Sequence, residues 1–349
     1  MTDRDYFLAA YKDALEQLSA ELPAVQRHIA TTFPINDPLR EEAVRFTAEG
    51  GKRFRPALSL IVASVYGKTD AFPHVALELF HKYLLVHDDI MDRDDARYGA
   101  PTVHAKMAEL CLAPEDREHF GNSLGIMVGN LMAAASFGVI HHATLPLSTK
   151  DKLAKLLVRA TNEVAWGWYD QFLMDYEPLD SPRLSFERIE KSIIWVTGKY
   201  SIKLPVHFGY AIAGVQPPKL EELFDTMGLL FQTGDDLVGL FGKVEDTGKS
   251  NYGDIIQGKK TLPLWLAYTN ASPVDQKALR LHVGNKGCTA TDIQEVRDII
   301  VRSGGLERTQ QLMQSYRDRC LEQVASIDMP ADLRRFLRGF LYFLETRDR

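Results

Sequence analysis

The sequence predicts an all-α protein, and three observations carry that prediction. Apolar residues recur at three- and four-residue spacing along most of the chain. Runs of strict alternation bounded by hairpin turns are scarce. One stretch, Gly121 to Thr149, holds no Asp, Glu, Lys or Arg, as expected of a helix buried on all sides in a large helical protein. The chain has 349 residues, 45% of them apolar and 25% charged, the composition of a folded globular protein rather than a disordered one. No repeat of fixed period, low-complexity tract or long Pro/Gly linker divides it, so residues 1–349 read as a single helical domain. Lys and Arg number 41 against 47 Asp and Glu, a formal charge of -6. That balance argues against a broad grip on nucleic acid and leaves room for small basic pockets that bind phosphorylated metabolites.

In chain order, Met1 to Tyr6 carries Asp3, Arg4 and Asp5 and no apolar signal-peptide stretch. Phe7, Leu8, Tyr11, Leu15, Leu18 and Leu22 mark a first helix. Asp37 before Pro38 is a helix start. An apolar helical run covers Val75 to Val86. Leu124 to Ile140 is near the lower length limit for crossing a membrane. Asn130, Ser136 and three glycines within it favour a buried helix, and no membrane span is expected. Trp166, Trp168 and Tyr169 read as core packing, and Leu220, Leu223, Phe224, Met227 and Phe231 define a later helix. Thr291 with Gln294 has the form of a capping box. Loops are expected near Pro73, Gly99 to Pro101, Pro178 to Pro182, Pro217 to Pro218, and Ala271 to Pro273. Cys111, Cys288 and Cys320 are far apart, odd in number and without a CxxC pair. Neither a disulfide framework nor a structural zinc site is expected, and a reducing, cytoplasmic location fits.

The sharpest chemical feature is His87-Asp88-Asp89-Ile90-Met91-Asp92-Arg93-Asp94-Asp95, which follows the apolar run. If the helix continues, Asp88 and Asp92 are four apart and Asp89 and Asp92 three apart, so the carboxylates share a face. Like charges so placed repel unless cations sit between them. Mg²⁺ suits hard oxygen ligands and binds through one or two carboxylates plus substrate phosphates. The plain alternative is a solvated acidic helix end. A second pair, Asp235-Asp236, sits in Phe231-Gln232-Thr233-Gly234-Asp235-Asp236-Leu237-Val238-Gly239. Alone it reads as a cap or a surface pair. Two such sites on two helices, facing each other, would hold a cluster of Mg²⁺ around one diphosphate.

Gly50-Gly51-Lys52-Arg53-Phe54-Arg55-Pro56 packs three cations beside two glycines. Glycine lets backbone approach a ligand, and Lys and Arg supply point charge and forked donors for phosphate oxygens. A basic surface loop is the plain alternative. Lysines recur at Lys243, Lys249, Lys259 and Lys260. Gly242 to Ser250 mimics a P-loop, but five residues separate its glycines where four are required, and a helix precedes it. His81 and His87 lie six apart with no third metal ligand nearby, while His81 and Asp88, seven apart, share a helix face.

In this order the motifs resemble those of the trans-isoprenyl diphosphate synthases, or polyprenyl synthetases. GGKRFRP, DDIMD, ARYGAPTVH and FQTGDDLVG, followed by TGK and GKKT, span about Phe46 to Trp265. The resemblance implies an all-α bundle of the isoprenoid synthase type around a deep central cavity, usually a homodimer. It implies that Asp88, Asp89 and Asp92 form a first Mg²⁺ motif and Asp235 and Asp236 a second, holding three Mg²⁺ per active site. Gly51, Lys52, Arg55 and His81 look like the isopentenyl diphosphate site. Arg97, Thr197, Gln232, Lys249 and Lys259 look like binders of the allylic diphosphate. The implied reaction ionises the allylic diphosphate. The double bond of isopentenyl diphosphate attacks the resulting cation, and a proton is lost to the released diphosphate, with no protein nucleophile.

The sequence departs from the family pattern at several positions. Gly239 stands where many members have a third Asp, Tyr98 where a second Arg is common, and Val196 where a Lys precedes Thr197. Lys199 is the candidate substitute for that Lys. Asn130 replaces an Asp in a VGD-like sequence, and Gln171 and Asp175 are one residue further apart than usual. Tyr83, five before Asp88, with Leu84 beside it, resembles the chain-length floor of geranylgeranyl-type synthases, with farnesyl the next candidate. Helical periodicity by itself aligns Leu84, not Tyr83, with Asp88. Two other functions are compatible with the motifs: a non-catalytic or modulatory subunit of a heteromeric synthase, and a class I terpene cyclase.

Overall fold

The computed structural model describes residues 1–32, 37–97, 99–242 and 252–345. Nearly every element among them is a helix. In chain order α1 is Asp3–Thr32, α2 Pro38–Ala48, α3 Phe54–Ser64 and α4 Val75–Asp92. A two-residue ladder follows, β1 Ala96–Arg97 and β2 Ala100–Pro101. Then come α5 Val103–Ala108, α6 Arg117–His142, α7 Leu147–Asp175 and α8 Phe186–Ile193. A π-helical segment, Ile194–Lys203, leads into α9 Leu204–Ala213 and α10 Glu221–Phe241. The remainder is α11 Gly253–Gln257, α12 Leu262–Asn270, α13 Pro273–His282, α14 Ala290–Arg302, α15 Gly305–Ser326 and α16 Ala331–Glu345.

Local chemistry explains the ends. Asp37 caps α2 by accepting from the Arg40 N–H at 2.9 Å, with Pro38 in the first turn. The capping box of α14 lies two residues earlier than Thr291 and Gln294 suggest: Thr289 and Asp292 bond reciprocally. Both pairs have the required spacing, but only Thr289 has the extended backbone of a cap. The expected loop at Gly99 to Pro101 includes β2, paired antiparallel as Ala96 with Pro101 and Arg97 with Ala100. Gly99 turns it at φ 76°.

The chain divides into two compact units. The N-terminal unit comprises Leu8–Val158 and Pro205–Pro217. Its α4 buries Leu77, Leu79, Phe80, Leu84 and Val86 and packs against α2, α3, α5 and α6. α6 has a length and hydropathy that a membrane-crossing helix also has. Its Val128, Met132, Val139 and Ile140 are buried. The glycines of this stretch are seats for neighbouring side chains. A Cβ at Gly129 would lie 2.5 Å from His87 Nε2, and one at Gly125 would lie 2.9 Å from Ile90 Cδ1. His74, fully buried, bonds Ser59 through Nδ1 at 2.8 Å.

The C-terminal unit comprises Met1–Phe7, Arg159–Leu204 and Pro218–Arg349. α10 packs on the π-helical segment and on α15. Gly228 of α10 makes the close approach possible: a Cβ there would lie 2.4 Å from Gly198 Cα. The Leu220–Phe231 stripe expected from the sequence is buried throughout. Phe7 stacks among Phe336 and Phe340 of α16 at 5.2 and 5.7 Å. Trp166 and Tyr169 differ from the core packing expected of them: they are 66% and 59% exposed. The α7 stripe that is buried runs through Ala160, Val164 and Met174, which places the two aromatics and Leu173 on the outer face.

Candidate active site

The basic loop lies in the N-terminal unit, between α2 and α3. Gly50, Gly51 and Arg53 all have left-handed backbone, at φ 49°, 84° and 42°. Glycine adopts that region freely, whereas Arg53 must be held there. Its guanidinium reaches Ser19 Oγ at 3.2 Å and the Ala48 carbonyl at 3.4 Å, and the Tyr11 hydroxyl donates to the Lys52 carbonyl. Gly51 and Lys52 are exposed and Arg55 is half-buried. The loop therefore offers backbone and cations to solvent from a fixed turn.

The helix that carries the first acidic motif continues unbroken to Asp92 and ends at Arg93, which is left-handed at φ 59°. Asp88 and Asp92 therefore have the four-residue helical spacing read from the sequence. Asp89 is placed differently. Its side chain is buried, and its Oδ1 accepts from Arg97 Nε at 2.7 Å. Arg97 also reaches Asp88 Oδ2 at 3.4 Å. Arg97 is itself buried and is brought to α4 by the β-ladder. His81 is held well below its ordinary proton affinity by burial first, then by Arg55, Lys82 and Arg97. It is a neutral hydrogen-bonding group at neutral pH. Tyr83 is half-exposed and meets His87 edge to face at 4.9 Å, while Leu84 is buried.

The C-terminal unit joins Thr197, Gln232 and Asp236 in a line. Thr197 Oγ1 donates to Gln232 Oε1 at 2.7 Å, and Gln232 Nε2 donates to Asp236 Oδ1 at 2.9 Å. The π-helical segment positions Thr197, and such insertions recur at functional sites. Asp236 is buried and pushed up to about 8, by burial first and then by Asp254, with Asp235 adding to the rise; the Gln232 hydrogen bond and Lys259 oppose it. Asp235 is exposed. Lys199 pairs with Asp225 at 3.1 Å. Val196 packs on α7, where a Cβ at Gly167 would meet its Cγ2 at 2.7 Å. Lys259 is half-buried, and Lys249 lies outside the described residues. Lys260, beside it, is buried and donates to the Asp175 carbonyl at 3.0 Å. Asp175 is pushed up to about 6 by burial, against the pull of Lys259 and Lys260.

Asp254 is the acidic residue that sequence reasoning missed. A Cβ at Gly239 would lie 2.9 Å from Asp254 Oδ2. The carboxylate therefore sits where a side chain at residue 239 would begin. The signal was available as the lone acid of Gly253-Asp254-Ile255-Ile256-Gln257, just before the quoted GKKT. Cys288, His282 and Asp292, not grouped by their spacing, bring ligand-type atoms within 4.8 Å of one another. Each already bonds locally: Cys288 to the His282 carbonyl, His282 to Glu295, and Asp292 to Thr289.

The donor set of the two acidic motifs is carboxylate oxygen throughout. That chemistry fits hard divalent cations and not zinc-type nitrogen and sulfur sites. Comparisons with known proteins agree with this chemistry. A sequence model of the polyprenyl synthetases matches residues 37–300. The geranylgeranyl diphosphate synthase of Saccharolobus solfataricus is 28% identical over 301 residues, covering 83% of this chain and 84% of that protein. The heptaprenyl diphosphate synthase component 2 of Geobacillus stearothermophilus is 29% identical over 351 residues, covering 97% and 98%. The geranylgeranyl pyrophosphate synthase of Corynebacterium glutamicum, solved with isoprenyl diphosphate and magnesium, has a TM-score of 0.81 at 26% identity, covering 100% of each chain. The chain thus belongs to the polyprenyl synthetase family and is a trans-prenyltransferase that elongates isoprenyl diphosphates.

Proposed function

We propose that this protein condenses isopentenyl diphosphate with an allylic diphosphate, in the presence of Mg²⁺, to a short all-trans prenyl diphosphate, with geranylgeranyl diphosphate the expected product and farnesyl diphosphate the next. One observation carries the reading: Arg97 clasps Asp89 and Asp88 on the helix that also bears His81, in the same compact unit as the basic loop with Arg55. The basic loop and the carboxylate face of α4 thereby belong to one compact unit.

In this reading Asp88, Asp89 and Asp92 would hold Mg²⁺, as would Asp235 and Asp236, three ions in all, and Asp254 would supply a further carboxylate beside Gly239. When bound, the metal neutralises the allylic diphosphate and stabilises it as a leaving group. Arg97, Thr197, Gln232, Lys249 and Lys259 bind the same group. Lys199 supports it from the residue pair it makes with Asp225. The allylic C–O bond breaks and its electron pair leaves with the diphosphate. Gly51, Lys52, Arg55 and His81 hold isopentenyl diphosphate, whose double bond forms the new C–C bond. The proton lost from the adjacent carbon goes to the released diphosphate. Tyr83 and Leu84, on the apolar side of α4, limit the growing chain.

The outward stripe of Trp166, Tyr169, Leu173 and Tyr176 supports assembly as a homodimer, because an exposed apolar face of this kind marks interaction surfaces. The free state of Cys111, Cys288 and Cys320 supports a reducing, cytoplasmic location. The departures at Gly239 and Val196 favour one second reading, a modulatory subunit that acts with a catalytic partner, and the likeness to a heptaprenyl synthase component supports a heteromeric assembly.

A product assay decides between the two. The purified protein is supplied with Mg²⁺, isopentenyl diphosphate and, separately, dimethylallyl, geranyl or farnesyl diphosphate, and chain length is read by mass spectrometry. One dominant prenyl diphosphate formed only with Mg²⁺ is expected. A folded protein that elongates no starter supports the subunit. A hydrocarbon made from one diphosphate alone identifies a cyclase.

A further inference from the structure

Lys82 follows His81 on α4 and is fully buried. A buried ammonium is costly unless acceptors and counter-charge surround it. Those of Lys82 lie at the stem of the basic loop. Its Nζ donates to the carbonyl of Glu49, the residue that ends α2 and precedes Gly50. The same ammonium lies 4.5 Å from the centroid of the Phe46 ring, a cation–π contact from α2. Burial pushes the Lys82 ammonium down to about 8; buried Glu78, one turn earlier on α4, favours its charge, while Arg53, Arg97 and Arg45 oppose it. From Glu49 the chain enters a turn with three left-handed residues, one of them Arg53. A non-glycine residue is strained there, so the turn persists only if its surroundings hold it. Tyr11 and Ser19 of α1 hold Lys52 and Arg53. The Glu49 end is held from α4.

We propose that Lys82 is a positioning residue for diphosphate binding by the basic loop: its buried ammonium fixes the Glu49 carbonyl and so sets the turn that presents Lys52 and Arg55. This rests on the reading of that loop as the isopentenyl diphosphate site.

The test is steady-state kinetics on the full chain with Mg²⁺, varying isopentenyl and geranyl diphosphate separately. Lys82→Met keeps most of the length of the side chain and removes its charge and donors. The KM for isopentenyl diphosphate is expected to rise about tenfold, with kcat and the KM for geranyl diphosphate within about threefold of the parent. Lys82→Arg, which keeps a cation, is expected to recover part of that loss. An unchanged KM for isopentenyl diphosphate in folded Lys82→Met overturns the proposal, as does an equal rise in both KM values. If Lys82→Met does not fold, Lys82→Gln takes its place with the same two readings. Failure of all three variants to fold assigns Lys82 to stability alone and likewise overturns it. A parent enzyme that elongates nothing overturns the reading of the loop itself. Parent turnover with an unchanged KM in the variants overturns only the role of Lys82.

Discussion

The two acidic motifs begin from nearly the same sequence device, adjacent aspartates at the end of an apolar helix, and the fold treats them differently. On α4 the compensation is ionic. Arg97 covers Asp89 and touches Asp88, while Asp92 stands one helical turn beyond Asp88. On α10 the compensation is a proton and a hydrogen bond. Asp236 is buried beside Asp254 and Asp235, accepts from Gln232, and is pushed up to about 8. Repulsion between carboxylates can be offset by a guanidinium, by protonation or by a metal ion. The first motif has the guanidinium within its own compact unit. The second sets three carboxylates against Lys259 and the Gln232 hydrogen bond.

The largest effect expected from this contrast is at the first motif. Asp88→Ala or Asp92→Ala should lower turnover by about a hundredfold or more while leaving the melting temperature close to the parent's. Normal turnover in either variant would remove these residues from the metal site. At the second motif, Asp254→Asn should lower kcat by about tenfold if its carboxylate serves where residue 239 offers none. Gly239→Asp in the Asp254→Gly background should then recover activity, whereas Gly239→Asp alone should crowd Asp254. No recovery in the swapped protein would separate Asp254 from the motif. Tyr83→Ala should shift the product to longer prenyl chains by mass spectrometry, and an unchanged distribution would leave Leu84 as the candidate floor.

The remaining effect is on stability, and it has opposite signs in the two units. Fully buried His74 of the N-terminal unit is lowered by burial to about 3 from an ordinary 6.5. Between those values only the unfolded chain takes up the proton. Its contribution is therefore present above pH 6.5 and lost on acidification, at up to about 1.4 kcal/mol per pH unit. Asp175 of the C-terminal unit is raised by burial to about 6 from 3.8. There the folded chain holds the proton more tightly, so its contribution is present below pH 3.8 and lost as pH rises through 6. Denaturant midpoints measured across pH should flatten on the acid side in His74→Asn and on the upper side in Asp175→Asn. A slope unchanged in either variant would mean that the group titrates as it does in the unfolded chain.

Local pattern made much of this legible. The Leu220–Phe231 stripe needed only the helical period, and it is buried as read. Asp88 and Asp92 needed only the continuation of one helix, which holds to Asp92. The cap at Asp37 needed only its own next three residues. The same local rules misjudged Trp166 and Tyr169, because amphipathic spacing identifies a face without saying whether anything covers it. They also chose the wrong one of two overlapping Thr-containing boxes near α14, since both have the same spacing.

By itself, then, the sequence determined that the chain is helical, where the acidic and basic motifs lie along it, and which residues of each motif share a helical face. Those properties depend on backbone period and on residues within one or two turns of each other. Only the tertiary structure decided that Arg97 takes Asp89, that Asp254 stands against Gly239, and that Lys82 bonds the Glu49 carbonyl before Gly50. Each of these joins groups on different elements. Charge and burial act through space, and distance along the chain carries no information about them.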